Sequence, residues 1–192
     1  MFKGLILTLS FIFAMSAQAS PLSLQFEIHK QMIAMIESLH GMALDWKVGD
    51  TASYDLNVGD FIKGSMVMTV KSIDGDGIWL NQDADLGFAG KQEVQELLDP
   101  TTGAIKKMIA NGQEQQIPKQ DLEVIDTIEE QVTVPAGTFS SIHVRAKDKS
   151  NNDGEVNAWL NPQLVPVGGA LKQSAPTQFG VMTMELNSFK KN

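Results

Sequence analysis

Two hydrophobic periods divide this chain. Between Phe26 and Leu39 the apolar residues Ile28, Met32, Met35, Ile36 and Leu39 recur at spacings of three and four, which lines them along one stripe of an α-helix. Gly41 follows as a stop, because glycine takes the left-handed conformation of a helix end without a Cβ penalty. The spacing predicts one amphipathic helix. Past Trp46 the period falls to two and stays there. In a strand from Lys63 to Ile73, Met66, Met68 and Val70 alternate with Ser65, Val67, Thr69 and Lys71, so the two sets face opposite sides of a sheet. Thr51–Asn57, Ile78–Leu80, Leu122–Val134, Thr138–Lys147, Glu155–Leu160 and Val181–Phe189 read as further strands.

Turn residues punctuate the pattern. Asp74-Gly75-Asp76-Gly77, Asp99-Pro100-Thr101-Thr102-Gly103 and Asn151-Asn152-Asp153-Gly154 are clusters of the types that supply turn geometry. Asn111-Gly112, between two short runs, signals a hairpin. The most distinctive break is "VTVPAGTF", Val132 to Phe139. Proline presets φ for a turn, and Gly137 takes positive φ where the next strand begins, so the segment predicts a hairpin corner with a glycine bulge. No linker, repeat or low-complexity block divides the chain. One helix followed by about ten short strands predicts a mainly β domain, an antiparallel meander curved over its core.

The first residues change the picture of where the protein works. Lys3, the apolar run Leu5–Met15 and the small-x-small pattern Ala17-Gln18-Ala19 have the three-part layout of a secretory signal peptide. Residues 1–19 are therefore expected to be removed, leaving one β-rich domain over 20–192. The apolar run falls short of the about 20 residues a membrane-spanning helix needs, so no stable membrane anchor is expected. The chain has no cysteine; it offers no site for lipid attachment at the cut, and its core holds without disulfides. Hydrophobic content of 43% and charged content of 20% are those of a folded soluble domain. The net charge of −8 argues against nucleic acid and anionic lipid surfaces, which call for a basic face.

Candidate chemistry is sparse. There is no G-x-S-x-G elbow and no H-E-x-x-H spacing. His29 and His40 are eleven positions apart on the predicted helix, about three turns, too far to share a metal. His143 alternates outward from Ile142 and Val144 and reads as an exposed polar strand position. Asp74 and Asp76 begin like a calcium loop, but Ile78-Trp79-Leu80 lacks the later oxygen ligands, so a turn is expected. Asp83 and Asp85 would share a strand face, with no partner acid or base in view. Met66-x-Met68 and Met182-x-Met184 each place two soft sulfurs on one face, which suits Cu(I). Methionine is also an adaptable filler of cores and apolar pockets, and that reading is preferred. Trp79 and Trp159 read as packing residues.

The C-terminal half carries a resemblance. "VTVPAGTF", then "EVNAWLNPQLVPVGGALK" (Glu155–Lys172), then "VMTMELNSF" (Val181–Phe189), with "WKVGDTASYDL" (Trp46–Leu56) near the start, resemble uncharacterised exported bacterial proteins similar to the lipoprotein-carrier (LolA-like) superfamily. The resemblance implies an open half-barrel with a helix near its concave side, where the carriers shelter acyl chains. It implies no catalytic residues and no cofactor. The basic and aromatic positions that carriers use for handing over lipoproteins do not align with this chain, so lipoprotein transfer does not follow. The expectation is a non-enzymatic periplasmic protein that binds an acyl chain or lipid. Met66, Met68, Val70, Ile142, Val144, Met182, Met184 and Leu186 are the candidate ligand-binding residues. An envelope protein partner bound at a sheet edge, and a copper site on the Met pairs, are the alternatives.

The export signal predicts a mature protein that begins at Ser20, read by N-terminal sequencing of the exported form. A retained Met1 in a membrane fraction would overturn it.

Overall fold

The computed structural model describes residues 45–59, 62–87, 90–117, 122–149, 154–177 and 180–192. The predicted signal peptide and the Phe26–Leu39 helix, with His29 and His40, lie outside them. The described chain forms eleven strands: β1 (Thr51–Val58), β2 (Ile62–Asp74), β3 (Gly77–Asp85), β4 (Lys91–Leu98), β5 (Ile105–Ala110), β6 (Gln113–Gln115), β7 (Leu122–Val134), β8 (Gly137–Asp148), β9 (Gly154–Leu160), β10 (Ala170–Thr177) and β11 (Gly180–Lys190). They make one sheet in the order β6-β5-β4-β3-β2-β1-β11-β10-β9-β8-β7. One meander, β1 to β6, runs out to one edge; a second, β7 to β11, returns from the other. The first and last strands join them antiparallel, with Thr51 opposite Lys190 and Val58 opposite Met182.

The connection between the two meanders dictates the shape. The chain leaves one edge of the sheet at Gln115 and enters the other at Leu122. That stretch of chain reaches at most about 25 Å. Eleven strands laid flat would set the edges about 48 Å apart. The sheet therefore has to curl. The end of β7 comes back towards β10 and β11, and the Ala136 amide donates to the Leu186 carbonyl on β11 at 3.0 Å. The result is an open half-barrel.

Its core lies on the inner face, built by simple alternation. β1 buries Ala52, Tyr54, Leu56 and Val58; β2 buries Met66, Met68 and Val70; β11 buries Met182, Met184 and Leu186. They join one cluster with Val144, Val156, Ala158, Leu160, Val165 and Val167. Each fully buried Leu or Met side chain contributes roughly 1.5–3 kcal/mol from surface taken out of water. The start of β1 is tied to the end of the chain by Asp50, whose buried carboxylate accepts from the Lys47 amide at 2.9 Å and the Asn192 amide at 2.7 Å.

The predicted strands are present with ends shifted by a residue or so, and the predicted turns at Asp74–Gly77, Asp99–Gly103 and Asn111-Gly112 are turns; Asn151–Asp153 lie outside the described residues. Asp74 spends one carboxylate oxygen on the amides of Asp76 and Gly77, at 2.9 and 3.3 Å, as a turn aspartate does. Asn111 and Gly112 both have positive φ, 48° and 77°, the pattern of a tight hairpin. Two strands go beyond the predicted set, β4 (KQEVQELL) and β10 (ALKQSAPT), and β3 runs on to Asp85. In all three, a polar residue occupies an inward position: Gln82 on β3, Glu96 on β4, Gln173 on β10, each buried. This breaks the hydrophobic alternation by which strands are recognised.

Pro135 and Ala136 form the corner of the β7–β8 hairpin, with Val134 paired to Gly137. The expected bulge is not there. Pairing is regular at Gly137, and the register shift of this hairpin falls between Val124 and Asp126. Gly137 does take positive φ, +136°. An added Cβ there has room, touching the Phe139 ring at 3.4 Å, whereas at Gly77, φ +146°, it would sit on the Leu98 carbonyl oxygen. Gly137→Ala should thus cost roughly 1 kcal/mol in urea unfolding, from backbone strain alone. Gly77→Ala should cost clearly more, because backbone must move; the reverse order would refute this reading.

Candidate functional site

The inner face gathers most of the residues expected to meet a ligand. β1 is its spine. Tyr54 faces Met66 on one side and Leu186 on the other; Leu56 faces Met184, Val58 faces Met182, and Ala52 faces Met68. Met66, Met68, Val70, Met182, Met184 and Leu186 are all at most 2% exposed. Val144 belongs to the opposite wall, opposite Ala158 on β9, and is equally buried. Ile142, opposite Leu160, packs against this core only in part and stands at its rim.

The methionine pairs do not form a four-sulfur set. β1 runs between β2 and β11, which puts the two pairs on strands about 10 Å apart. Tyr54 and Leu56 fill the space between them. Each pair is part of the apolar floor, and the copper alternative loses the convergence it needs.

Tyr54 is the residue that sequence reasoning missed. It is 1% exposed, and its hydroxyl finds no hydrogen-bond partner among the described residues. Burial pushes its pKa up from the ordinary tyrosine value, so it stays a protonated donor. The signal was present in TASYDLNV, where Tyr54 shares the inward parity of Ala52, Leu56 and Val58. On β3 and β4 the Gln82 amide donates to Glu96 at 3.2 Å, so the inner face also carries polar groups there.

The connection between β9 and β10 folds onto the same face. Asn161 closes its base, donating from its amide to the Gly169 carbonyl at 2.7 Å, and its side-chain NH2 reaches the Ser140 carbonyl at 3.0 Å. Val165 and Val167 insert into the core, both fully buried. Val167 holds φ at +58°, a strained state for a β-branched residue that persists only when its surroundings fix it. Beside this connection lies a groove of about 410 Å³ with Ile142 and Leu160 among its walls and Glu129, Ser140, Asn161 and Gln163 among its polar lining.

The outer face carries a belt of paired polar groups. His143 does point outward, as expected, but it is not exposed: its side chain is 12% accessible. It stacks on Trp159 with centroids 4.1 Å apart. Its Nδ1 lies 2.9 Å from Glu130 Oε1 and its Nε2 2.9 Å from Asn157 Oδ1. Trp159 Nε1 donates to the same Glu130 oxygen at 2.6 Å, and Lys172 sits 5.8 Å from the indole centroid while pairing with Glu185 at 2.7 Å. Further along, Arg145 grips both oxygens of Asp126. Stacked and charge-assisted cross-strand pairs of this kind hold neighbouring strands in register. Both ring nitrogens of His143 are engaged, which leaves no free base. Asp83 and Asp85 are exposed on β3. Among the described residues no group of three or more His, Asp or Glu side chains is placed to hold a metal ion.

No protein-family model and no curated protein sequence matches the chain. Among solved structures it is similar to the hypothetical protein CT021 of Chlamydia trachomatis, with a TM-score of 0.51 at 11% identity, covering 77% of this chain and 89% of that one. A Bacteroides fragilis protein described as exported, with a YmcC-like fold, overlaps at a TM-score of 0.44 and 12% identity, over 78% of this chain and 99% of that one. MucB overlaps at 0.43 and 10% identity, over 86% of this chain and 59% of its own length. The likeness to CT021 is one of fold alone, and the other two superpose too loosely to add to it.

Arg145 holds the Asp126 carboxyl below the ordinary aspartate range, chiefly through their hydrogen bonds, and Asp126 in turn raises Arg145. A depressed carboxylate stabilises the fold above its unfolded pKa of about 3.9, and that share is lost as pH falls through the lower folded value. Asp126→Asn should therefore lower the melting temperature slightly at pH 7 in low salt and hardly at all near pH 2. The pair is over a third exposed on the Arg145 side, so high salt should shrink the difference. A gap that persists in acid would show that the carboxylate's charge is not the cause.

Proposed function

We propose that this is an exported, non-enzymatic protein whose half-barrel shelters the apolar part of a ligand, an acyl chain or lipid, on its inner face. The observation that carries the reading is the floor formed by β2, β1 and β11. There Met66, Met68, Met182, Met184 and Leu186 lie side by side around β1, and thioether side chains repack readily around flexible chains. A single-layer sheet buries its apolar face only against something laid on it. Among the described residues, the Val165–Val167 segment and the tip of the β7–β8 hairpin cover part of that face. The secretory pattern of residues 1–19 supports a periplasmic location.

A second reading rests on the sheet edges. β6 is only three residues long, whereas β7 is a thirteen-residue edge strand with Val124, Ile125 and Ile128 exposed at 44–46%. Long apolar edges are places where another chain can add a strand. That favours an envelope protein partner, with or without a lipid inside.

An alkyl chain gains about 0.8 kcal/mol for each CH₂ removed from water, enough for micromolar affinity after the costs of binding. A long-chain alkylpyrene should bind the purified protein in that range, with its fluorescence as the readout. Met184→Glu and Val144→Glu should abolish binding, since an unpaired buried carboxylate is costly. Thr183→Glu, on the outer face, should leave it intact, with circular dichroism confirming the fold of each variant. If no apolar probe binds the unaltered protein, the ligand reading falls and the β7 edge becomes the better account.

A further inference from the structure

The inner face is not uniformly apolar, and among the described residues the Tyr54 hydroxyl is a buried side-chain donor without a hydrogen-bond partner. The geometry points to Tyr54 as the group that recognises the polar end of the ligand: its hydroxyl donates a hydrogen bond to an uncharged carbonyl oxygen, that of an acyl ester or amide. This rests on the ligand reading above and names the class of molecule it concerns.

Three observations converge. First, Tyr54 lies directly between Met66 and Leu186 on the sheet, two of the residues read as ligand-lining. Secondly, the hydroxyl is buried without a partner among the described residues. An unmatched buried hydroxyl is costly, and an acceptor brought in by a ligand recovers that cost. Thirdly, the polar and charged groups buried among the described residues are Asp50, Asn81, Gln82, Glu96, Ser141, Asp148 and Gln173, with no lysine, arginine or histidine. Among the described residues an anionic head group inside would find no buried cation, so burial disfavours it strongly. A neutral carbonyl needs only a donor, and Tyr54 supplies one. Phosphate or carboxylate heads would have to remain in water.

Tyr54→Phe removes only the hydroxyl and keeps the ring in the core. The test compares two probes on the unaltered protein and this variant: an alkylpyrene, which has no acceptor, and the methyl ester of a pyrene-labelled fatty acid of matched length. The ester should bind the variant roughly five- to tenfold more weakly, the size of one net hydrogen bond, while the alkylpyrene stays within about twofold. The ligand-free variant should melt no lower than the unaltered protein, since an unmatched buried group has been removed. A fall of several degrees would mean that the hydroxyl has a partner within the protein, and would overturn the inference whatever the probes do. If the alkylpyrene binds and both probes respond alike to Tyr54→Phe, Tyr54 does not read the head and only this inference fails. If neither probe binds the unaltered protein, the sheltering function fails and this inference with it.

Discussion

The short passage from Gln115 to Leu122 is the constraint from which the rest of this structure follows. It joins strands at opposite edges of an eleven-stranded sheet, over a distance that a flat sheet would make about twice what the chain can reach. Curling is the solution, and curling makes an inside. Pairing of β1 with β11 closes the other long-range gap, so strands that begin and end the described chain meet at the middle of the sheet. Their seam places the methionines of β2 and β11 on either side of Tyr54 and Leu56. Without that seam the two meanders would each expose an apolar face too narrow to bury itself.

The two faces of the sheet are built on different chemistry. Inside, the packing is of flexible and branched apolar side chains, non-directional and tolerant of rearrangement. A few polar groups interrupt it: Gln82 bonded to Glu96, Gln173, and the Tyr54 hydroxyl. Outside, the interactions are directional. Trp159 and His143 share the Glu130 carboxylate, and Arg145 meets Asp126 in a fork. Such pairs are individually modest at a surface. Together they pin β7 and β8 to β9 and β10, which is where the sheet lacks a neighbour beyond β7. A division of labour results, in which register is held from outside while the inner face stays adaptable.

Strain is concentrated where the chain covers the inner face. Val167 keeps a left-handed backbone inside the β9–β10 connection, and Gly169 lies so close to Pro162 that an added Cβ would meet its backbone at 2.5 Å. The burial of Val165 and Val167 offsets the cost of that conformation. This segment and the groove beside it border the rim residue Ile142 and the core residue Leu160.

Much of this was legible along the chain. Period-two alternation located β1, β2, β7, β8, β9 and β11, and the parity of Met66, Met68, Val70, Met182, Met184 and Leu186 correctly placed them together on the buried face, because side-chain direction in a strand is local geometry. Gly-, Pro- and Asn-rich breaks marked the corners for the same reason. Tertiary structure alone decided the remainder. β4 and β10 escaped notice because Glu96 and Gln173 point inward, and a buried polar group is tolerated only when distant parts of the fold surround it. His143 looked exposed because nothing in its neighbourhood along the chain announces Trp159 or Glu130, which other strands bring to it. Tyr54 meets Met66 through the local β1–β2 pairing, but it meets Leu186 only through the β1–β11 pairing, between segments separated by nearly the whole described chain. Alternation says which way a side chain points; only strand register says what it meets.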